Sequence, residues 1–266
     1  MKKVLYVATI ILLLIVFVIS AWKVGSYFLD SKEQENRYDD LAAIKEAAKN
    51  EATTTPAETQ EQPGSTEETE PAEKPILADY AGLYEMNNDL VGWLKIEGTK
   101  LNYPVMQTSE DNKDFYLDHN FDKEHSVRGC IFAREERDVN APSDNITLYG
   151  HNMMDGSMFA ALNAYTDKAA WDNNSLIFFD TLTEYHTYKI FAVFKTSASL
   201  GKGFSYHQFV DAADEEAFNE FVATCKDLAF YDTGVTPVYG DKIICLSTCE
   251  YTLNNGRLVV AAVRIS

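Results

Sequence analysis

The stretch that most limits the fold is Lys242–Ile265, KIICLSTCEYTLNNGRLVVAAVRI. It reads as two apolar strands joined by a polar loop, which commits the end of the chain to a sheet. The first strand ends in Leu246-Ser247-Thr248-Cys249 and the second opens with Arg257. A thiol at a strand end, where the backbone leaves a core, is exposed enough to react and rigid enough to aim. Arg257 adds a permanent positive charge with N–H donors suited to an oxygen bearing negative charge. A tight two-residue hairpin at Asn255-Gly256 would pair Cys249 several residues beyond Arg257. With Glu250 to Gly256 all loop, the two residues instead sit opposite each other, about 4.5–5.5 Å apart on one face. The long loop is the expected arrangement. The plain alternative is a buried structural Cys and a surface Arg on an ordinary hairpin.

The 266 residues leave room for one sizeable domain plus appendages. The formal charge of −18 argues against nucleic acid as a partner. After a short basic start at Lys2 and Lys3, Val4 to Trp22 is apolar except for Thr9 and Ser20. That run is long enough to span a bilayer and longer than a signal-peptide core. It predicts an uncleaved single-pass anchor through residues 4–22, with a cytoplasmic N-terminus and the remainder outside the cell. Residues 30–50 hold good helix formers but few large apolar side chains, as in a solvated helical stalk. Residues 51–73 are mostly Thr, Glu, Pro and Gln and cannot bury enough surface to offset their ordering entropy, so they read as a disordered spacer. Between Asp30 and Lys74 stand thirteen acids and five bases. The expected organisation is an anchor with short flanks over 1–29, an acidic stalk and spacer over 30–74, and a folded domain over 75–266.

Within that domain, Ile76, Leu77, Tyr80, Leu83 and Tyr84 are at helical spacing. Strands are expected at Val91–Ile96, Leu101–Met106, Gly129–Arg134, Asn145–Tyr149, Leu176–Asp180, Tyr185–Thr196 and Val235–Tyr239, besides the closing pair. A short helix is expected from Ser157 to Tyr165. A longer one is expected where Phe218, Phe221, Val222 and Cys225 recur at i, i+3, i+4 and i+7. Many short strands with a few helices predict an antiparallel barrel with inserted helices.

The four cysteines, Cys130, Cys225, Cys245 and Cys249, show neither CxxC nor metal-ligand spacing. Cys225 falls on the apolar face of a predicted helix and Cys245 inside a strand; these and Cys130 read as buried thiols. His119, His125, His186 and His207 stand in polar or alternating contexts and read as surface or ladder residues. His151 ends the strand Ile146-Thr147-Leu148-Tyr149, just past Gly150, where site residues usually lie. A strand-end His, a strand-end Cys and a nearby Arg are the parts of a thiol acyl-transfer site. The thiolate is the nucleophile, the imidazole moves the proton and the guanidinium holds the oxyanion. The order His, Cys, Arg differs from papain-like peptidases, where Cys precedes His.

Asn145-Ile146-Thr147-Leu148-Tyr149-Gly150-His151-Asn152-Met153, then Asp155-Gly156-Ser157-Met158-Phe159, resembles the histidine segment of class B sortases. Leu246-Ser247-Thr248-Cys249, with Arg257 and Leu258-Val259-Val260, resembles the sortase T-L-x-T-C signature and its arginine strand, with Cys245 where the signature usually has Thr. Val91-Gly92-Trp93-Leu94 and Phe115-Tyr116-Leu117-Asp118-His119-Asn120 are similar to the same class, and the likeness spans Ile76 to Ser266. The resemblance implies a mainly β fold, a closed sortase-type barrel of about eight strands with an N-terminal helix and a long helix before the last strands. It implies a transpeptidase of the Gram-positive cell surface that needs no cofactor and no metal. Cys249 would be the nucleophile, His151 the general acid/base and Arg257 the oxyanion or substrate clamp. Tyr149, Ser247, Thr248 and Glu250 would line the groove for the C-terminal sorting signal of a surface protein. Class B members read NPQTN-like and LPxTG-like pentapeptides. An amine of a peptidoglycan precursor or a pilin lysine would resolve the thioester. The competing readings are a cell-wall cysteine peptidase that only hydrolyses, and a non-enzymatic envelope binding module.

Overall fold

The computed structural model describes residues 2–54, 74–136, 139, 142–199 and 201–266. The chain divides into a unit ending at Asp40 and a second from Leu41 to Ser266. The first is helical, formed by the earlier part of α1 (Lys2–Thr54). From Ile10 to Ile19 its large apolar side chains are all exposed, and the helix is long and apolar enough to cross a membrane. The helix continues to Thr54, so residues 51–54 of the expected spacer are helical; the rest of it, 55–73, lies outside the described residues.

The second unit begins with the last turns of α1, where Lys45 is buried. Its Nζ lies 3.2 Å from Asp180 Oδ2 and over the rings of Tyr80 and Trp93, at 5.0 and 5.2 Å from their centroids. Tyr80 donates its hydroxyl to the same carboxylate oxygen at 2.7 Å. Burial pulls the Lys45 pKa down, and the Asp180 carboxylate offsets only part of that. This packing runs through a cation, two rings and a carboxylate. Leu41 is buried as well, but as a single large apolar side chain without a stripe around it, and so the segment reads as solvated in the sequence.

Eight strands follow: β1 (Leu90–Lys95), β2 (Asn102–Gln107), β3 (Ile131–Ala133), β4 (Asn145–Tyr149), β5 (Leu176–Thr181), β6 (Thr187–Ser197), β7 (Ile243–Glu250) and β8 (Gly256–Arg264). They close into a barrel in the order β1-β2-β3-β4-β7-β8-β6-β5. The barrel is mixed, not antiparallel as expected: β2 with β3 and β4 with β7 run parallel, and the other pairs are antiparallel. Helix α2 (Ala78–Met86) precedes β1, α3 (Lys168–Asn173) and α4 (Glu215–Leu228) lie between strands, and the expected helix at 157–165 is a 3-10 helix over Phe159–Thr166. Val235–Tyr239 is not a strand. The Val235 and Val238 N–H groups are taken by Thr233 Oγ1 and Asp241 Oδ2, side-chain acceptors that hold the segment in turns. His186 is buried, and its carbonyl accepts from Phe179 N–H between β5 and β6.

Helix α4 fixes where the barrel is covered. Asp214 caps its first turn by accepting from Ala217 N–H at 2.9 Å, Glu215 and Glu216 lie at its positive end and Lys226 at its negative end. Its buried stripe of Phe218, Phe221, Val222 and Cys225 packs with Cys245, Val259, Ala261 and Val263. Side chains alternate along a strand. Cys245, Ser247 and Cys249 therefore share one face of β7, and Arg257, Val259 and Ala261 the matching face of β8. Cys249 and Arg257 stand at the end of the face that α4 covers lower down.

Candidate active site

Strand β7 lies between β4, parallel to it, and β8, antiparallel. Cys249 pairs directly with Arg257 and Glu250 with Gly256, so the loop is Tyr251–Asn255 and the register is the long-loop one. Cys249 is half-buried, whereas Cys130, Cys225 and Cys245 are buried, and none of the four is in a disulfide. Arg257 donates from Nη1 to Gly256 O at 2.9 Å and to Asn255 Oδ1 at 3.1 Å, which turns its guanidinium along the loop.

The β4–β7 ladder ends at the pair Tyr149–Ser247. Gly150 N–H still donates to Ser247 O at 3.2 Å, and Thr248 Oγ1 donates to Gly150 O at 2.7 Å. A Cβ at position 150 would meet Ile131 Cδ1 at 2.5 Å and Phe159 Cδ2 at 2.9 Å, so glycine is required there. His151 follows, and its carbonyl accepts from Phe159 N–H at 2.9 Å. Its Nε2 is 2.7 Å from Leu117 O. A carbonyl only accepts, so Nε2 carries the hydrogen and Nδ1 is the free base of the neutral ring.

The loop after His151 is braced from below. Asp155 Oδ1 accepts from Ser157 N–H at 3.0 Å and from Ser157 Oγ at 2.6 Å. The buried guanidinium of Arg128 donates to Ser157 Oγ at 2.7 Å and pairs with Asp155. Asn152 Nδ2 donates to Cys249 O at 2.9 Å, linking this loop to the end of β7. None of Leu117, Arg128 or Asn152 is marked by the sequence as a site residue. Asn152 lies inside the histidine motif, and that is the signal nearest to it.

A sequence profile described as the sortase domain matches residues 94–265. The chain belongs to the sortase family. Sortase B of Listeria monocytogenes serovar 1/2a is 32% identical to it over 249 residues, covering 92% of this chain and 90% of that protein. Sortase B of Staphylococcus aureus is 26% identical over 264 residues, covering 98% and 97%. Among solved structures, a Staphylococcus aureus sortase B–substrate complex superposes with a TM-score of 0.74 at 25% identity, covering 90% of this chain and 99% of that one. These relatives make the chain a class B sortase, a cysteine transpeptidase of surface-protein anchoring.

The remaining sequence-selected residues of this sortase have structural partners already. Ser247 is buried, with its Oγ 2.5 Å from the buried Tyr206 hydroxyl. Thr248 is buried with its hydroxyl on Gly150 O. Glu250, 8% exposed, accepts from Lys195 Nζ at 2.8 Å, from Thr252 N–H and Oγ1 at 2.9 and 2.6 Å, and from Leu253 N–H at 3.1 Å. Burial pushes its carboxyl up, but these donors outweigh burial and hold its pKa at about 2. Tyr149 is half-buried, its ring tilted against Phe132 at 5.5 Å with the Arg134 guanidinium 5.1 Å over it. Cys245, where the family signature usually has Thr, fills the cluster under α4 beside Cys225.

Proposed function

We propose that Cys249, His151 and Arg257 carry the transpeptidation. The observation behind this is the register: the thiol is on the penultimate residue of β7, the guanidinium is on the second residue of β8 opposite it, and the parallel β4 ends at the same edge just before His151. His151 Nδ1 takes the Cys249 thiol proton, and the thiolate attacks the carbonyl carbon of the sorting signal's threonyl bond. Negative charge gathers on the carbonyl oxygen, where the Arg257 guanidinium rotates from its own loop to meet it. As the tetrahedral species collapses, the C–N bond breaks and the imidazolium of His151 gives its Nδ1 proton to the leaving amine. Nε2, held by Leu117 O, keeps the ring aimed throughout. An incoming amine then attacks the thioester, gives its proton to His151 and expels the thiolate.

Tyr149 borders the groove with a half-buried ring packed by Phe132 and Arg134. Ser247, Thr248 and Glu250 shape it through Tyr206, Gly150 and the 251–255 loop. The acceptor is a primary amine of a peptidoglycan precursor or a pilin; a sortase B solved in complex with triglycine favours a glycine-type amine. The helix through residues 4–22 serves as a single-pass anchor, with Lys2 and Lys3 cytoplasmic and the barrel outside.

The test is to incubate the protein with fluorogenic NPQTN and LPxTG peptides, with and without triglycine, and follow products by mass spectrometry. An acyl adduct on Cys249 and a triglycine-ligated product are expected. Hydrolysis alone at saturating triglycine would make the protein a peptidase, and absence of any Cys249 adduct would remove the catalytic assignment.

A further inference from the structure

We infer that Asn152 is a positioning residue for Cys249, held in its donating orientation by Asn163; this rests on the catalytic roles given above. The backbone ladder from β4 to β7 stops at Gly150 N–H and Ser247 O. Carbonyls on one edge of a strand recur every second residue, so the next one facing β4 belongs to Cys249. By then β4 has ended, and the His151 carbonyl is turned away to Phe159 N–H. Asn152 supplies the missing donor from its side chain, Nδ2 to Cys249 O at 2.9 Å.

The pair with Asn163 fixes which end of the amide points at Cys249. Asn163 Nδ2 donates to Asn152 Oδ1 at 2.8 Å and to Ala160 O at 3.0 Å. The second proton of Asn152 Nδ2 faces Asn163 Oδ1 at 3.4 Å. Cys249 O and Ala160 O only accept, so both amides have a single consistent orientation.

Two consequences bear on the chemistry. A Cys249 carbonyl directed at Asn152 points away from β8. Cys249 and Arg257 are then a non-hydrogen-bonded antiparallel pair, the kind whose Cα atoms are about 4.5 Å apart with side chains closest together. Asn152 also follows His151 directly, so one side chain joins the base's loop to the nucleophile's backbone. Misplacement by about 1 Å is enough for a rate loss on the order of 10²-fold.

The experiment compares wild type, Asn152→Ala, Asn163→Ala and the double variant. It measures single-turnover acylation of Cys249 by whichever of the NPQTN and LPxTG peptides acylates wild type, with a thermal melt of each. Asn152→Ala is expected to slow the acylation step about ten-fold and Asn163→Ala about three-fold. Peptide half-saturation should be unchanged and the melt within about 2 °C of wild type. The double variant should be no slower than Asn152→Ala, because the two amides act as one unit. The inference is overturned by a wild-type acylation step in Asn152→Ala, by a loss confined to half-saturation, by a loss that tracks a lowered melt, or by additive effects in the double variant. A wild-type protein that forms no Cys249 adduct overturns the catalytic reading and this inference together. A wild type that acylates beside an Asn152→Ala that acylates equally fast overturns the inference alone.

Discussion

Replacing Glu250 with Gln tests whether the residue beside the nucleophile is a loop anchor. Its Oε1 accepts from Lys195 and twice from Thr252, and its Oε2 from Leu253 N–H. Gln keeps one acceptor oxygen but turns an NH₂ toward a donor and removes the charge that Lys195 faces. The fall of the Glu250 pKa from the usual 4.5 to about 2, at 1.36 kcal/mol per pH unit, sets a ceiling of about 3.4 kcal/mol. The loop borders water and Lys195 is partly exposed, so screening reduces this to about 1–2 kcal/mol. For a domain of this size that corresponds to a melting temperature lower by about 2–8 °C. A carboxyl whose folded pKa is depressed stabilises fully above its unfolded value and loses that contribution as pH falls toward the folded one. Wild type should therefore lose this increment between about pH 4.5 and pH 2, and the gap between wild type and Glu250→Gln should close over that window. Melts at pH 7, 5, 4 and 3 measure it. A gap that is already absent at pH 7, or that stays constant down to pH 3, refutes the anchor role. A groove residue in direct contact with peptide would instead change half-saturation with no effect on the melt.

Arg257→Lys keeps the charge but loses the planar fork, and acylation should fall on the order of 10²-fold with little change in the melt; near-normal acylation would withdraw the clamp role. Cys249→Ala should abolish both cleavage and transfer, whereas Cys225→Ala, buried under α4, should leave turnover intact at a modest cost in stability, as read by the same peptide assay and a melt. Lys45→Ala removes the cation paired with the Asp180 carboxylate that Tyr80 also donates to, and removing one member of a buried pair costs about 3 kcal/mol; urea unfolding of the variant should show it. A chain starting at Ile76 should fold but lose a similar increment, and a molten near-UV circular dichroism spectrum from it would show that the last turns of α1 are required for folding.

The closing strands were legible because β7 and β8 are buried on both faces, under α4 outside and in the barrel within, and so read as nearly continuous apolar runs. Helix α4 was legible from its apolar stripe. Helix α3, six residues long with no buried side chain, leaves no such stripe. Val235–Tyr239 has the apolar content of a strand, but Thr233 and Asp241 compete for its backbone. Ser247 shares the face of Cys249 while Thr248 and Glu250 take the other, and all three have partners that sequence adjacency does not reveal, in Tyr206, Gly150 and Lys195. Adjacency in sequence does not say which way a side chain faces.

The parallel pairings leave no local trace, since the partners of β4 and β7 are almost a hundred residues apart. They nevertheless account for the strand-end positions of the residues proposed to carry the chemistry. In a parallel pair the two C-terminal ends reach the same edge of the sheet, so a His after β4 and a Cys near the end of β7 both lie at that edge. In an antiparallel pair the end of one strand meets the start of the next, so the position on β8 that matches Cys249 is its second residue, Arg257. The mixed three-strand segment thus puts a residue after the end of β4, one near the end of β7 and one near the start of β8 at a single edge. Had β4 run antiparallel to β7, as an all-antiparallel barrel would demand, a His after its last residue would lie at the opposite edge, one strand length from the thiol. At about 3.3 Å per residue over the five residues of β4, that separation is roughly 16 Å, far beyond the reach of a proton transfer.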